Sequence, residues 1–229
     1  MIRKVMKLNK QVVKNRDLAW ITLKHYGPIG IFRNVVMELV FDLWHKTDTF
    51  FPIHEDELHG ADGNERLRYG GSPFGLVRGA LKHVEKDFDF TKMNLVDMGS
   101  GKGKVLIEGE KFPFRLCKGI EYNKALHKIA EANIAKLGLQ SRIKLYNTDA
   151  TSWTPEAEDR VYYFFNPFKG EMLRSVLKRI TSKVPLGQRI VALYANPESA
   201  EIFDEEMTFI EEFLVNPGKL RVRRYEYIK

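Results

Sequence analysis

Cysteine is almost missing from this sequence: Cys117 stands alone in 229 residues, which excludes an intrachain disulfide and any cysteine-rich zinc site. A single thiol suits a reducing compartment. Long hydrophobic runs are missing too. The most apolar early stretch, IGIFRNVVMELVFDLW, is too short to span a bilayer and carries Arg33, Glu38 and Asp42. The opening MIRKVMKLNKQVVKNR is basic, but a charged, polar stretch follows where the apolar core of a secretion signal belongs. These absences predict a cytoplasmic protein. Internal repeats and low-complexity tracts are likewise missing, which excludes a solenoid or repeat array.

What is present suits a folded domain. Apolar residues make up 44% of the chain and charged residues 29%, so a sizeable core can form and wholesale disorder is excluded. The length favours one domain with an appendage. The net charge is +7, with a pI near 9.3. Much of it sits at the two ends, in MIRKVMKLNKQVVKNR and KLRVRRYEYIK. Such a balance fits nucleic acid, an acidic membrane surface, an acidic protein or merely a solvated face, and names none of them.

The pattern divides the chain near Ser72. Before it, VVMELVFDLW has apolar residues at helical spacing, and HEDELHGADGNERLRYGGSPFG has the composition of a loop or lid. Residues 1–72 are therefore expected to form a helical extension and lid, with residues 51–74 closing over a ligand. Residues 73–229 are expected to form the core. PFGLVRGALKHV reads as a helix with Pro73 near its first turn. Strand-like runs then alternate with helical ones: NLVDM, RLCKGIE, RIKLYNTD, VYYFFN and RIVALYAN against KVLIEGEKF, KALHKIAEANIAKLG, KGEMLRSVLKRITSKV and PESAEIFDEE. That alternation predicts an α/β fold, a doubly wound and mostly parallel sheet with helices on both faces. TFIEEFLVNPGKLRVRRYEYI differs, reading as two antiparallel strands around Asn216-Pro217-Gly218.

The stretch NLVDMGSGKGKVLI carries the chemistry. In an open α/β sheet, ligands bind beyond the carboxyl ends of the strands where strand order reverses. Glycines there permit positive φ and remove Cβ atoms that would keep a ligand from the backbone. Asp97-Met98-Gly99-Ser100-Gly101-Lys102-Gly103 supplies an acid and three alternating glycines, with backbone N–H groups near a helix start that suit an anionic ligand group. Nicotinamide and flavin sites use G-x-G-x-x-G, whereas here the third glycine comes one residue earlier. The next strand ends on Glu121, at the offset of an acid that accepts hydrogen bonds from ribose hydroxyls. The third ends on Asp149, in YNTDA.

Gly99, Gly101 and Gly103 in this spacing resemble the first motif of the class I S-adenosylmethionine-dependent methyltransferases. The resemblance implies a seven-stranded Rossmann-like methyltransferase sheet and S-adenosyl-L-methionine as cofactor, gripped by Asp97, Gly99, Ser100, Gly101 and Gly103. It implies that Glu121 holds the ribose, that Tyr122 packs on adenine, and that Asp149, with Ala150 beside it, approaches the adenine amino group. Phe41, Asp42, Asp48, Thr49, Tyr69, Ser72 and Pro73 are further similar to a group of uncharacterised bacterial class I methyltransferases with Phe-Asp, Asp-Thr and Tyr-x-x-Ser/Thr-Pro elements. Gly70, Gly71 and Met98 depart from that group's pattern. The layout also resembles non-SET histone lysine methyltransferases, which implies that Tyr69 contacts the methionine part of the cofactor.

VYYFFNPFKGE ends the fourth strand on Asn166, Pro167 and Phe168. It is similar to a shortened Asn/Asp-Pro-Pro-Tyr/Phe motif of amino-group methyltransferases, with one proline missing. By that resemblance the Asn166 amide oxygen and a backbone carbonyl hold the acceptor nitrogen, while Phe168 stacks on its planar group. Positive charge growing on an amine in the transition state is stabilised by such oxygens. A hydroxyl acceptor wants a base, and no histidine neighbours the strand ends, although His54 and His59 lie in the polar loop. The expected acceptor is a protein side-chain amine, then a nucleic-acid base, then a small molecule. Other readings are an RNA or DNA base methyltransferase using the basic surface and a non-catalytic cofactor-binding or membrane-associated module. A nicotinamide-dependent oxidoreductase shares the acid-after-strand logic, but the glycine spacing and Asn-Pro-Phe count against it.

Overall fold

The computed structural model describes residues 32, 35–49, 71–73, 75–215 and 220–229. Tyr69, His54, His59, the basic stretch 1–16, the Asn216-Pro217-Gly218 turn and the expected lid, apart from residues 71–73, lie outside the described residues. A helix, α1, covers residues 35–45, matching the helical spacing of VVMELVFDLW. Helix α2 (Leu76–Val84) follows Gly75, whose left-handed φ of 77° turns the chain into it.

Seven strands then form one sheet: β1 (Asn94–Met98), β2 (Cys117–Glu121), β3 (Ile143–Asn147), β4 (Asp159–Phe164), β5 (Arg189–Ala195), β6 (Thr208–Val215) and β7 (Leu220–Ile228). The order is β3-β2-β1-β4-β5-β7-β6. Strands β1 to β5 pair in parallel, while β7 runs antiparallel to both β5 and β6. The crossover helices are α3 (Lys104–Gly109), α4 (Lys124–Lys136), α5 (Gly170–Lys183) and α6 (Ala200–Glu206). Doubly wound architecture and the closing antiparallel pair are both as expected. The pair's second strand sits inside, against β5, and its first forms the sheet edge.

Alternate residues of each central strand feed two cores, as the two-residue period of a strand requires. Leu95, Val161, Tyr163, Val191 and Leu193 pack under α2 and α3 on one face. Val96, Tyr162, Phe164, Ala192 and Tyr194 pack under α5 and α6 on the other. Every residue of β1 is buried, as befits a parallel strand covered on both sides. Cys117 is buried in β2, and burial pushes its thiol up to about 12, so it stays protonated and unreactive. Among the described residues no helix is long and apolar enough to cross a membrane, and no cluster of three metal-ligating side chains occurs.

Reversal of strand order falls between β1 and β4, so the carboxyl ends of these two strands open a crevice between them. Packing around it includes a buried acid. Glu108 of α3 accepts the Gly75 N–H at 3.1 Å. Burial pushes its carboxyl up to about 7, against the pull of Lys104 and this N–H, with Glu38 adding to the rise. The folded state therefore holds a proton that the unfolded chain releases near 4.5, and stability declines as pH rises from about 4.5 to about 7 before levelling. Glu108→Gln, which keeps an acceptor for Gly75 but cannot ionise, is expected to flatten that decline. Urea unfolding at pH 5 and pH 8 should show wild type losing roughly 1–3 kcal/mol more than the variant across the interval. Equal losses in the two proteins would show that Glu108 titrates normally.

Candidate active site

The glycine loop after β1 turns sharply, with φ of 80° at Gly99, 51° at Gly101 and 83° at Gly103. Only glycine takes such angles repeatedly without a steric penalty. Gly99 also lies too close to a neighbour for a side chain, and Gly103 is tightly packed. A Cβ on Gly99 would come within 2.5 Å of the Pro167 Cβ, and one on Gly103 within 3.3 Å of the Ala130 Cβ on α4. Gly119 in β2, which sequence reasoning passed over, leaves room in the same way for Leu106 and the Ser100 hydroxyl. Its signal was a lone glycine inside an otherwise apolar strand.

The loop's N–H groups are engaged inside the protein. Those of Gly99 and Ser100 both donate to the Ile120 carbonyl, at 2.9 and 3.0 Å, and that of Gly103 donates to Ser100. Gly101 donates to Glu121 Oε2 at 2.8 Å. The expectation that these groups await an anionic ligand is thus revised: four of them already have internal partners.

The three strand-end acids have distinct surroundings. Asp97 is buried, and burial together with the negative charge of Glu121 pushes its carboxyl well above the usual range. Glu121 takes Gly101 N–H on one oxygen and Asn123 N–H on the other, at 2.8 and 2.7 Å. Its carboxylate is thereby fixed at the lip of the crevice. Asp149 accepts from both the backbone and the hydroxyl of Thr151 at 2.7 Å, capping the turn after β3, and Ala150 is buried beside it. Tyr122, directly after the β2 end, is 43% exposed.

Asn166 adopts φ 49°, a left-handed angle that asparagine tolerates better than most residues but that a following proline disfavours. Asn196 at the β5 end repeats this with φ 50° and its own proline, Pro197. The Asn166 amide holds the two turns together. Its nitrogen donates to the Asn196 carbonyl at 2.6 Å. Its oxygen accepts from the Tyr194 hydroxyl at 2.6 Å and from Glu198 N–H at 3.3 Å. Pro167 covers Gly99, and Phe168 is half-buried against the core under α5.

The extension contributes polar contacts that the sequence pattern did not reveal. Lys102, buried in the glycine loop, pairs with Asp48 at 2.8 Å. Asn133 of α4 accepts from Asp48 N–H at 2.9 Å and donates to the carbonyls of Asp48 and Lys102 at 3.1 Å each. Lys104 pairs with Glu38 of α1, both buried. Asp42 accepts from the hydroxyls of Thr47 and Thr49 and from Thr49 N–H. Ser72 shares a 2.8 Å hydrogen bond with the Tyr163 hydroxyl of β4. One signal for this network was available: Asn133 interrupts the apolar stripe Leu126, Ala130, Ile134 of α4.

The sequence matches no family model and no curated protein. Solved structures do match. An RNA methyltransferase from Salinibacter ruber, in complex with S-adenosyl-L-homocysteine, aligns over 70% of this chain and 95% of its own, with a TM-score of 0.53 and 17% identity. The N-methyltransferase NodS from Bradyrhizobium japonicum WM9 aligns over 67% and 94%, with 0.52 and 12%. The mitomycin 7-O-methyltransferase MmcR aligns over 67% of this chain with 0.53 and 16%, and the match spans only 54% of its length. The fold is accordingly the seven-stranded Rossmann-like fold of class I methyltransferases.

The joint between β4 and β5 rests on the Asn166 amide. Asn166→Ala leaves the Tyr194 hydroxyl and the Asn196 carbonyl short of a partner, and is expected to lower unfolding free energy by about 1–3 kcal/mol. In a double-mutant cycle with Tyr194→Phe, the two costs should fall short of adding by about 0.5 kcal/mol or more. Strict additivity would show that the Tyr194–Asn166 bond carries no energy.

Proposed function

We propose that this chain is an S-adenosylmethionine-dependent methyltransferase. The observation that carries the reading is Glu121, a carboxylate held at the β2 end by the glycine loop's own N–H, within the fold of class I methyltransferases. The residues present fit the cofactor. Glu121 presents a carboxylate at the β2 end, held by the Gly101 and Asn123 N–H groups, and a carboxylate is the acceptor that ribose hydroxyls require. The Ser100 hydroxyl is buried at the loop without a hydrogen-bond partner. Asp97 and Glu121 together favour a ligand carrying positive charge. Bound in this crevice, the sulfonium supplies an electrophilic methyl carbon.

The chain's own part is alignment and exclusion of water. In this reading Asp97, Gly99, Ser100, Gly101, Gly103 and Glu121 take the cofactor, Tyr122, Asp149 and Ala150 take its base, and Tyr69, outside the described residues, takes its methionine portion. Pro167 and Phe168 are assigned to the acceptor side in this reading. Asn166, with its amide taken by Tyr194, Glu198 and Asn196, shapes the turn and is a positioning residue in this reading. The acceptor is a nitrogen, a protein side-chain amine ahead of a nucleic-acid base. Such a lone pair attacks without a general base, and the described histidines lie on helices α1, α2 and α4 rather than at the strand ends. Labelled S-adenosylmethionine incubated with extract of a deletion strain and the purified protein, followed by fractionation, tests the whole. Label is expected in the protein fraction, and absence of label from every fraction would refute methyl transfer.

Two binding measurements test the pocket. Glu121→Ala is expected to weaken S-adenosylmethionine by about 1.5–3 kcal/mol, a charged hydrogen-bonded pair's worth; affinity equal to wild type would remove Glu121 from the site. A cationic ligand beside Asp97 favours its ionised form, so over the pH range in which the raised carboxyl still holds its proton, binding should expel that proton and affinity should climb with pH. Calorimetry in buffers of unlike ionisation enthalpy reads that proton. Asp97→Asn should abolish the release, and a wild type without it would place the positive charge elsewhere.

A further inference from the structure

Helix α1 is turned inside out. Its acids face the protein: Glu38 pairs with Lys104, and Asp42 is held by Thr47 and Thr49. Apart from Phe41, which is buried, and Leu39, which is partly so, its apolar side chains face outward. Phe32 is 71% exposed, Leu43 77% and Trp44 83%, with Val36 and Val40 between them. Positions 36, 40, 43 and 44 fall on one side of a helix at 3.6 residues per turn. No carboxylate is exposed among the described residues of this helix. A contiguous apolar stripe on an otherwise charged protein marks an interaction surface.

The chain's charge says what the stripe meets. Residues 1–34 hold eight lysines and arginines (Arg3, Lys4, Lys7, Lys10 and Lys14 among them) against the single Asp17. Their net +7 equals that of the whole chain, so residues 35–229 balance with 29 charges of each sign. All of the excess charge therefore lies directly before the stripe. We infer that residues 1–34 and the outer face of α1 together dock on an anionic lipid surface. Basic residues are drawn by the headgroups, while Leu43, Trp44 and Val40 insert at the acyl boundary. A nucleic acid would satisfy the charge but leave an aliphatic stripe in water. A second copy of the chain would cover the stripe but bring two segments of +7 together.

The test is co-sedimentation of the full chain with vesicles of phosphatidylcholine alone and with an equimolar mixture of phosphatidylcholine and phosphatidylglycerol. Binding is expected to the mixed vesicles only, and to weaken as salt rises. Leu43→Ser with Trp44→Ser should reduce the partition coefficient by about tenfold or more, with far-ultraviolet circular dichroism and melting unchanged because both side chains are exposed. Lys4→Gln, Lys7→Gln and Lys10→Gln together should reduce it comparably. Failure to bind either vesicle overturns the proposal. So does equal binding by the double serine variant, which would leave charge alone at work, or a doubled mass in light scattering that this variant abolishes, which would make the occupant a second copy.

Discussion

The approach of Pro167 to Gly99 governs the geometry of the crevice. Strands β1 and β4 are neighbours in the sheet but distant in sequence, and their turns must share one small volume above the carboxyl edge. A side chain on Gly99 would collide with the proline ring, so the glycine serves the protein's own packing before it serves any ligand. The same volume fixes Ser100 over Gly119 and brings Gly101 N–H to Glu121. Loop, second strand and fourth strand thus form one interlocked unit. Its rigidity holds the carboxylates in place without help from a ligand.

That interlock explains why some of the site was legible and some was not. Strand–helix alternation is a local property, and β1 to β5 fall where the apolar runs lie. The acids Asp97, Glu121 and Asp149 are visible because each closes such a run. What the pattern does not contain is direction. Nothing in NPF states whether the Asn166 amide faces the crevice or the next strand, and the structure turns it to Tyr194 and Asn196. Similarly, nothing in the local pattern of Gly101-Lys102-Gly103-Lys104 shows that both lysines are buried against carboxylates more than fifty residues earlier. Pairings across that separation leave no mark in local periodicity.

Those lysines join the extension to the core. An unpaired buried ammonium is costly, and Lys102 and Lys104 each meet a carboxylate supplied from outside the sheet. Asp48 and Glu38 supply them. Asn133 then accepts from Asp48 and donates to both Asp48 and Lys102, tying α4, the glycine loop and the segment after α1 through one side chain. Glu38 and Asp48 are consequently part of the loop's immediate environment.

The outward apolar face of α1 follows from the same constraint. A helix has a limited perimeter, and two of its inward positions are carboxylates, Glu38 paired with Lys104 and Asp42 bonded by Thr47 and Thr49. Phe41 alone among its large apolar side chains reaches the core. The remaining hydrophobic residues have no place except outside, where each costs free energy in water that a soluble monomer does not recover. A helix of this composition gains nothing by exposing that stripe unless a second surface covers it. Because Glu38 and Asp48 fix α1 to the glycine loop, whatever covers the stripe lies at a set distance from the crevice and at a set angle to it. Recruitment and orientation of the catalytic face would then be a single event.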